Sequence, residues 1–124
     1  MNYHRLNHDV RLLSLAYPTA IDDGYKTITV NRFNLPPGYN YSTIPVLLEI
    51  PSDYPEKPPG IGDARVYVPS DLRYHGRTPE DFHPSSGPTP DWAWWCYERI
   101  HWDPSRDDLI TFFELLRAHM TNPK

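Results

Sequence analysis

The sequence predicts an α+β fold: an N-terminal helix, an antiparallel meander of about four strands, a long loop bearing reactive groups, and a C-terminal helix. Three observations lead there. Twelve of the 15 prolines lie between Pro36 and Pro90, and no step between neighbours in that block exceeds ten residues. Proline lacks an amide donor and clashes with the preceding turn, so no long helix fits that stretch. Apolar residues at helical spacing bracket the block on both sides. Inside it, β-branched residues alternate with polar ones, as in half-buried strands.

The elements follow in order. Leu6, Val10, Leu13 and Tyr17 recur at helical spacing, with Asn7 and Asp9 near the expected start and Pro18 as the stop. Ile28 and Val30 alternate with Thr27, Thr29 and Asn31, which reads as a strand closed by the turn Pro36-Pro37-Gly38. Ile44, Val46, Leu48 and Ile50 alternate strictly, so this strand buries one face. Pro45 falls near its start, where a missing donor is tolerated. Val66 and Val68 mark a shorter strand. Short connections favour antiparallel pairing. Leu109, Phe112, Phe113, Leu116 and Met120 form the last helical stripe, and its expected start is near Ser105. Asp103-Pro104 or Ser105 would cap it, with Asp107 and Asp108 in the positive first turn.

Composition narrows the function classes. The chain has 124 residues, which is the size of one domain over 1–124, and a formal net charge of -4. That balance argues against a nucleic-acid partner, which selects for a basic face. No apolar run reaches the length of a membrane span, and Arg11 interrupts the apolar patch of a poor signal peptide. A single cysteine, Cys96, excludes an intramolecular disulfide and suits a reducing, cytoplasmic setting. Chemistry then concentrates in the irregular segment from Asp71 to Asp103, which holds His75, His83, His101, all four tryptophans and Cys96. The spacings of those histidines and Cys96 match no metal-ligand pattern, so no metal and no cofactor are expected. The tryptophans read as a packed flap that anchors the loop.

Landmarks within that frame carry a resemblance. Val46 to Pro59, with its Tyr54-Pro55 and Pro58-Pro59, resembles the strand and proline loop of ubiquitin-conjugating enzymes. His83-Pro84 resembles the start of the His-Pro-Asn motif of that family, Cys96 its acceptor cysteine, and Trp102-Asp103-Pro104 its Trp-x-Pro. Leu35 to Tyr39 and Trp102 to Leu109 look closer to the prokaryotic branches of the superfamily. The resemblance implies a UBC-like fold and a transferase. Such an enzyme carries a ubiquitin-like protein as a thioester on Cys96 and passes it to an amine. It also implies an activating enzyme as partner, and a deconjugating metalloprotease encoded nearby.

Acyl transfer needs a nucleophilic sulfur and a donor for the oxyanion. Ser85-Ser86 stands where the family has asparagine, so Ser85 or Ser86 is the candidate donor. His101, five residues past Cys96, is a candidate base, and Asp103 a candidate guide for the incoming lysine. His83 is a candidate for direct catalysis or for closing its turn. Two other classes stand beside this one. A catalytically silent variant of the fold would bind a ubiquitin-like protein or a partner enzyme. A cysteine hydrolase is disfavoured, because no Cys-His-Asn/Asp triad is evident in the spacing.

Overall fold

One antiparallel sheet organises the chain. The structure, a computed structural model, describes residues 2–22, 24, 26–60, 64–84, 86–97 and 101–121. Its elements are α1 (Tyr3–Ala16), β1 (Thr19–Ile21), β2 (Thr27–Asn34), β3 (Thr43–Glu49), β4 (Val66–Pro69), β5 (Phe82–His83), β6 (Trp92–Trp95) and α2 (Leu109–Met120). The sheet order is β1-β2-β3-β4-β6-β5, and each pairing is antiparallel. The expected α+β meander is therefore β1 to β4, and the β5–β6 hairpin joins it through β6. Side chains from α1, α2 and one face of the sheet make one core, in which Phe33 meets Phe113 at 5.4 Å and Tyr97 meets Phe112 at 6.3 Å between ring centroids.

Strand β2 keeps its apolar residues inside by means of a bulge. Val30 pairs with Val46 and Phe33 with Ile44, so three steps on β2 match two on β3. The extra residue shifts the side-chain alternation by one and turns Phe33 into the core beside Ile28 and Val30. Arg32 absorbs the kink in a left-handed conformation, φ 59°. Pro45 lies opposite the bulge, which is where a strand tolerates a residue without a donor.

Both helices begin away from their expected starts, for identifiable reasons. Asn2 caps α1, accepting the Arg5 amide at 3.0 Å, so α1 starts ahead of Asn7 and Asp9. Asp9 is an interior residue, fully buried among Leu6 and Leu13. Burying a carboxylate is costly unless it is paired and hydrogen-bonded. Arg5 Nε donates to both Asp9 oxygens, at 3.1 and 2.9 Å, and the Tyr54 hydroxyl donates to Oδ2. The Arg5 guanidinium also donates to the carbonyls of Pro104, at 2.7 Å, and Asp107. One side chain thus ties α1 to the approach to α2.

Helix α2 starts at Leu109 rather than near Ser105, because Asp108 is its cap and accepts the Thr111 amide at 2.9 Å. Asp103 closes a turn of its own instead, with its carboxylate on the Ser105 amide at 3.0 Å and hydroxyl at 2.7 Å. The apolar stripe from Leu109 to Met120 is buried as expected.

The segment from Asp71 to Asp103 is more ordered than its sequence suggests, since it contains β5 and β6. Pro84, Pro88 and Pro90 frame the two strands without entering them. Trp95 is fully buried, while Trp92, Trp94 and Trp102 are half-buried. Trp92, Trp94 and Trp95 anchor this region as strand residues, and Trp102 through its bond to the Pro55 carbonyl, rather than as one flap.

Candidate active site

Alternation along β6 separates core from chemistry. Ala93, Trp95 and Tyr97 are buried, whereas Trp92, Trp94 and Cys96 are half-buried on the other face. Cys96 follows the last residue of β6, and its amide donates to the Asp81 carbonyl at 2.7 Å. Trp95 faces Val66 on β4 and Phe82 on β5. One further step of register sets Arg65 and Asp81 on either side of Cys96. Directly opposed residues of antiparallel strands share a face, with Cβ atoms about 4.5–5.5 Å apart. The neighbouring row is Tyr67, Trp94 and His83.

Each residue of these rows is held by a visible contact. The His83 ring stacks on Trp94, with centroids 4.6 Å apart, and the Arg65 guanidinium carbon lies 4.1 Å from the Trp94 centroid. Asp81 turns its carboxylate to His119 of α2, with Oδ2 3.0 Å from Nε2. His119 stacks in turn on Tyr97, with centroids 4.5 Å apart. Burial pushes the Tyr97 hydroxyl above its ordinary range, and burial followed by the bond to Glu49 does the same for Tyr67. Gly60 permits close passage here. It has φ 94°, and a Cβ on it would meet the Tyr97 carbonyl oxygen at 2.9 Å.

The expected site residues divide. His83 and Cys96 are brought to adjoining strands on the outer face. The Ser86 hydroxyl donates its proton to the His83 carbonyl and accepts the Trp94 amide at 3.2 Å, so in this structure it pins the β5–β6 hairpin. Ser85 lies outside the described residues, as does Arg99. His101 is exposed on the stretch leading to Trp102. The Ser105 hydroxyl and amide, both on Oδ1, hold the Asp103 carboxyl below its usual range. Trp102 is fixed against the proline loop, its Nε1 donating to the Pro55 carbonyl at 2.7 Å beside Tyr54. Among the described residues no group of three or more His, Cys, Asp or Glu is arranged to hold a metal.

This layout has four landmarks in fixed relation: a proline loop latched to Trp102, a His-Pro strand end, a half-exposed cysteine on the next strand, and a capped helix after it. A family model described as prokaryotic E2 family E matches residues 6–122. The chain belongs to that family. No curated protein and no solved structure matches it. Membership of prokaryotic E2 family E carries with it the UBC-like fold and, in general terms, a conjugating function with a ubiquitin-like protein and an activating enzyme as partners. No helix among the described residues is long and apolar enough to cross a membrane.

Arg65, Asp81 and His119 were not legible as neighbours of this region. Arg65 precedes a strand not recognised as pairing with Trp92 to Trp95, and His119 sits 23 positions beyond Cys96. Recognising Trp92 to Trp95 as a strand would have exposed the Arg65 pairing.

Proposed function

We propose that this prokaryotic E2 family protein accepts the C-terminus of a ubiquitin-like protein as a thioester on Cys96 and transfers it to an amine. The observation that carries this reading is the position of the chain's sole cysteine. It is half-exposed just after β6, two residues along from Trp94, on which His83 stacks, in a chain matched over residues 6–122 by the family model.

The chemistry is two acyl transfers. The Cys96 thiolate attacks the carbonyl carbon of the thioester held by the activating enzyme, and an S–C bond forms as the carbonyl becomes an oxyanion. Collapse expels the activating enzyme's thiolate, which takes up the proton lost from Cys96. A neutral lysine amine then attacks the new thioester, expels the Cys96 thiolate and loses a proton to a base. His101, exposed near the Trp102 turn, is the proposed base. His83 orients Trp94 by stacking, and Ser85 remains the proposed hydroxyl donor to the oxyanion.

Non-reducing electrophoresis with the cognate activating enzyme, ubiquitin-like protein and ATP tests this. The wild type should form a thiol-reducible adduct. Cys96→Ser should give a thiol-resistant adduct or none, and Cys96→Ala none. His101→Ala should load normally but discharge more slowly to free lysine. No loading by wild type with a proven active partner would replace this reading with the silent binding module.

A further inference from the structure

The outer row through Cys96 holds a cation that neither the family match nor the reading above assigns. Arg65 stands opposite Cys96 one register step beyond the Val66–Trp95 pair, on the same face. Its guanidinium is fixed over Trp94, 4.1 Å from the ring centroid, in a cation–π contact. His83 stacks on that same ring, which limits the freedom of the indole under the guanidinium. Trp94 is two residues from Cys96 along the strand, about 7 Å of rise. The planar charge is therefore held over Trp94, on the face of the sheet that also carries Cys96.

The other charged groups near Cys96 are engaged elsewhere. Asp81 is opposite Cys96 in register, but its carboxylate is turned away from the outer face to His119 of α2, at 3.0 Å. Glu49 of β3 accepts the Arg65 backbone amide and the Tyr67 hydroxyl, each at 3.0 Å. His83 of β5 is occupied in stacking. Among the described residues Arg65 is the cation that register sets opposite Cys96, with its guanidinium over Trp94.

We propose that Arg65 is a catalytic residue of the conjugation reaction, stabilising the negative charge at Cys96, first on the thiolate sulfur and then on the oxyanion of the tail carbonyl. The proposal rests on Cys96 being the acceptor, but its first consequence belongs to the free protein. A cation that comes within about 4–6 Å of a thiol favours the thiolate by about one pH unit or more. Removing it lowers the thiolate fraction about tenfold at neutral pH, and the greater intrinsic nucleophilicity of a more basic thiolate returns about threefold.

The test is the pH dependence of the reaction of Cys96 with an aromatic disulfide reagent, in wild type, Arg65→Gln and Arg65→Lys. Each variant is first checked for an unchanged urea midpoint. The midpoint of the rate profile should rise by about one unit in Arg65→Gln and by less in Arg65→Lys, which keeps the charge but not the stacked plane. Neutral-pH rates should fall about threefold in Arg65→Gln. Thioester loading of Arg65→Gln should fall more than its thiol reactivity, because the oxyanion is lost as a second beneficiary. A profile unmoved in both variants would overturn the proposal even if wild type loads normally. Wild type that fails to load while the profile shifts would overturn the acceptor reading alone. Should Arg65→Gln prove unstable, Arg65→Met takes its place, and an unmoved midpoint with loading equal to wild type overturns the proposal.

Discussion

Replacing Asp9 by alanine should destabilise the fold more than any other single polar substitution in α1. The carboxylate is fully buried and receives Arg5 Nε, the Tyr54 hydroxyl and, at 3.3 Å, His8 Nδ1. Deleting one member of a buried ion pair costs about 3–5 kcal/mol, because the other charge is left uncompensated. Two details place this case at the lower end. The Arg5 side chain is 23% exposed, and it keeps the carbonyls of Pro104 and Asp107. The Tyr54 hydroxyl, in a residue 1% exposed, loses its acceptor outright, at about 1–3 kcal/mol for an orphaned buried group. A total of about 3–4 kcal/mol follows, since the two costs overlap. Urea unfolding followed by tryptophan fluorescence measures it. With a slope of about 1.5 kcal/mol/M the midpoint should fall by about 2 M at unchanged slope. Tyr54→Phe should lose about 1.5–2 kcal/mol, and the two substitutions together should cost less than their sum, because they break the same bond. An Asp9→Ala midpoint within about 0.3 M of wild type would refute the idea that this network holds α1 to the rest.

Other expectations follow from single contacts. Arg32→Gly should raise stability by about 0.5–1 kcal/mol, seen as a few degrees in the melting temperature, because glycine relieves the left-handed strain while adding unfolded-state freedom. Gly60→Ala should lose at least about 2 kcal/mol in urea titration, through its positive φ and the contact with the Tyr97 carbonyl. Trp102→Phe should cost about 1 kcal/mol by the same assay, from the bond to Pro55. Burial raises the hydroxyls of Tyr39, Tyr54 and Tyr97, so the folded state holds these protons more tightly than the unfolded chain. Their stabilising contribution is full below the unfolded value of about 10 and is lost as pH rises beyond it. Tyrosinate absorbance should therefore rise together with loss of the near-ultraviolet circular dichroism, in an unfolding step that begins above about pH 10.

The sequence made the frame legible because local rules and tertiary structure agreed there. The block of prolines excluded helix, and strict alternation at Ile44, Val46, Leu48 and Ile50 fixed both the strand and its buried face. Where the two disagreed, the sequence misled. Asp9 looked like a helix-start residue because a carboxylate in a core helix makes sense only beside Arg5 and Tyr54, and Tyr54 is 45 positions away. Asp103 looked like a cap for the same kind of reason: Asp-Pro favours a helix start, yet the Asp108 cap and the Arg5 bonds to Pro104 and Asp107 place that start later. Trp92 to Trp95 read as loop because all four residues are apolar, so periodicity could not show that alternate ones face opposite ways. Cys96 was legible as the only thiol. Arg65 and Asp81 were not, because they meet it only through the register of β4 and β5 with β6.

That register also divides the protein's tolerance to change. Residues 93, 95 and 97 face α2 and the core, while 94 and 96 share the outer face with Arg65, Tyr67 and His83. The two sets alternate on one strand, so neither can shift without exchanging roles with the other. The pins on that register lie on both sides of the strand. Ser86 bonds the Trp94 amide at 3.2 Å from the hairpin, and the Asp81 carbonyl takes the Cys96 amide at 2.7 Å. His119 then ties Asp81 to α2, so the segment bearing the cysteine is clamped between a hairpin and a helix that comes after it in the chain. Ser86→Ala and His119→Ala remove one clamp each without touching the outer face. They should lower the urea midpoint by about 1 M or less, at about 1 kcal/mol per hydrogen bond. They should leave the midpoint of the Cys96 reactivity profile nearer wild type than Arg65→Gln does, for they loosen the strand without removing its cation. A His119→Ala profile that moved as far as that of Arg65→Gln would mean that the position of the sulfur, more than the neighbouring charge, governs the thiol.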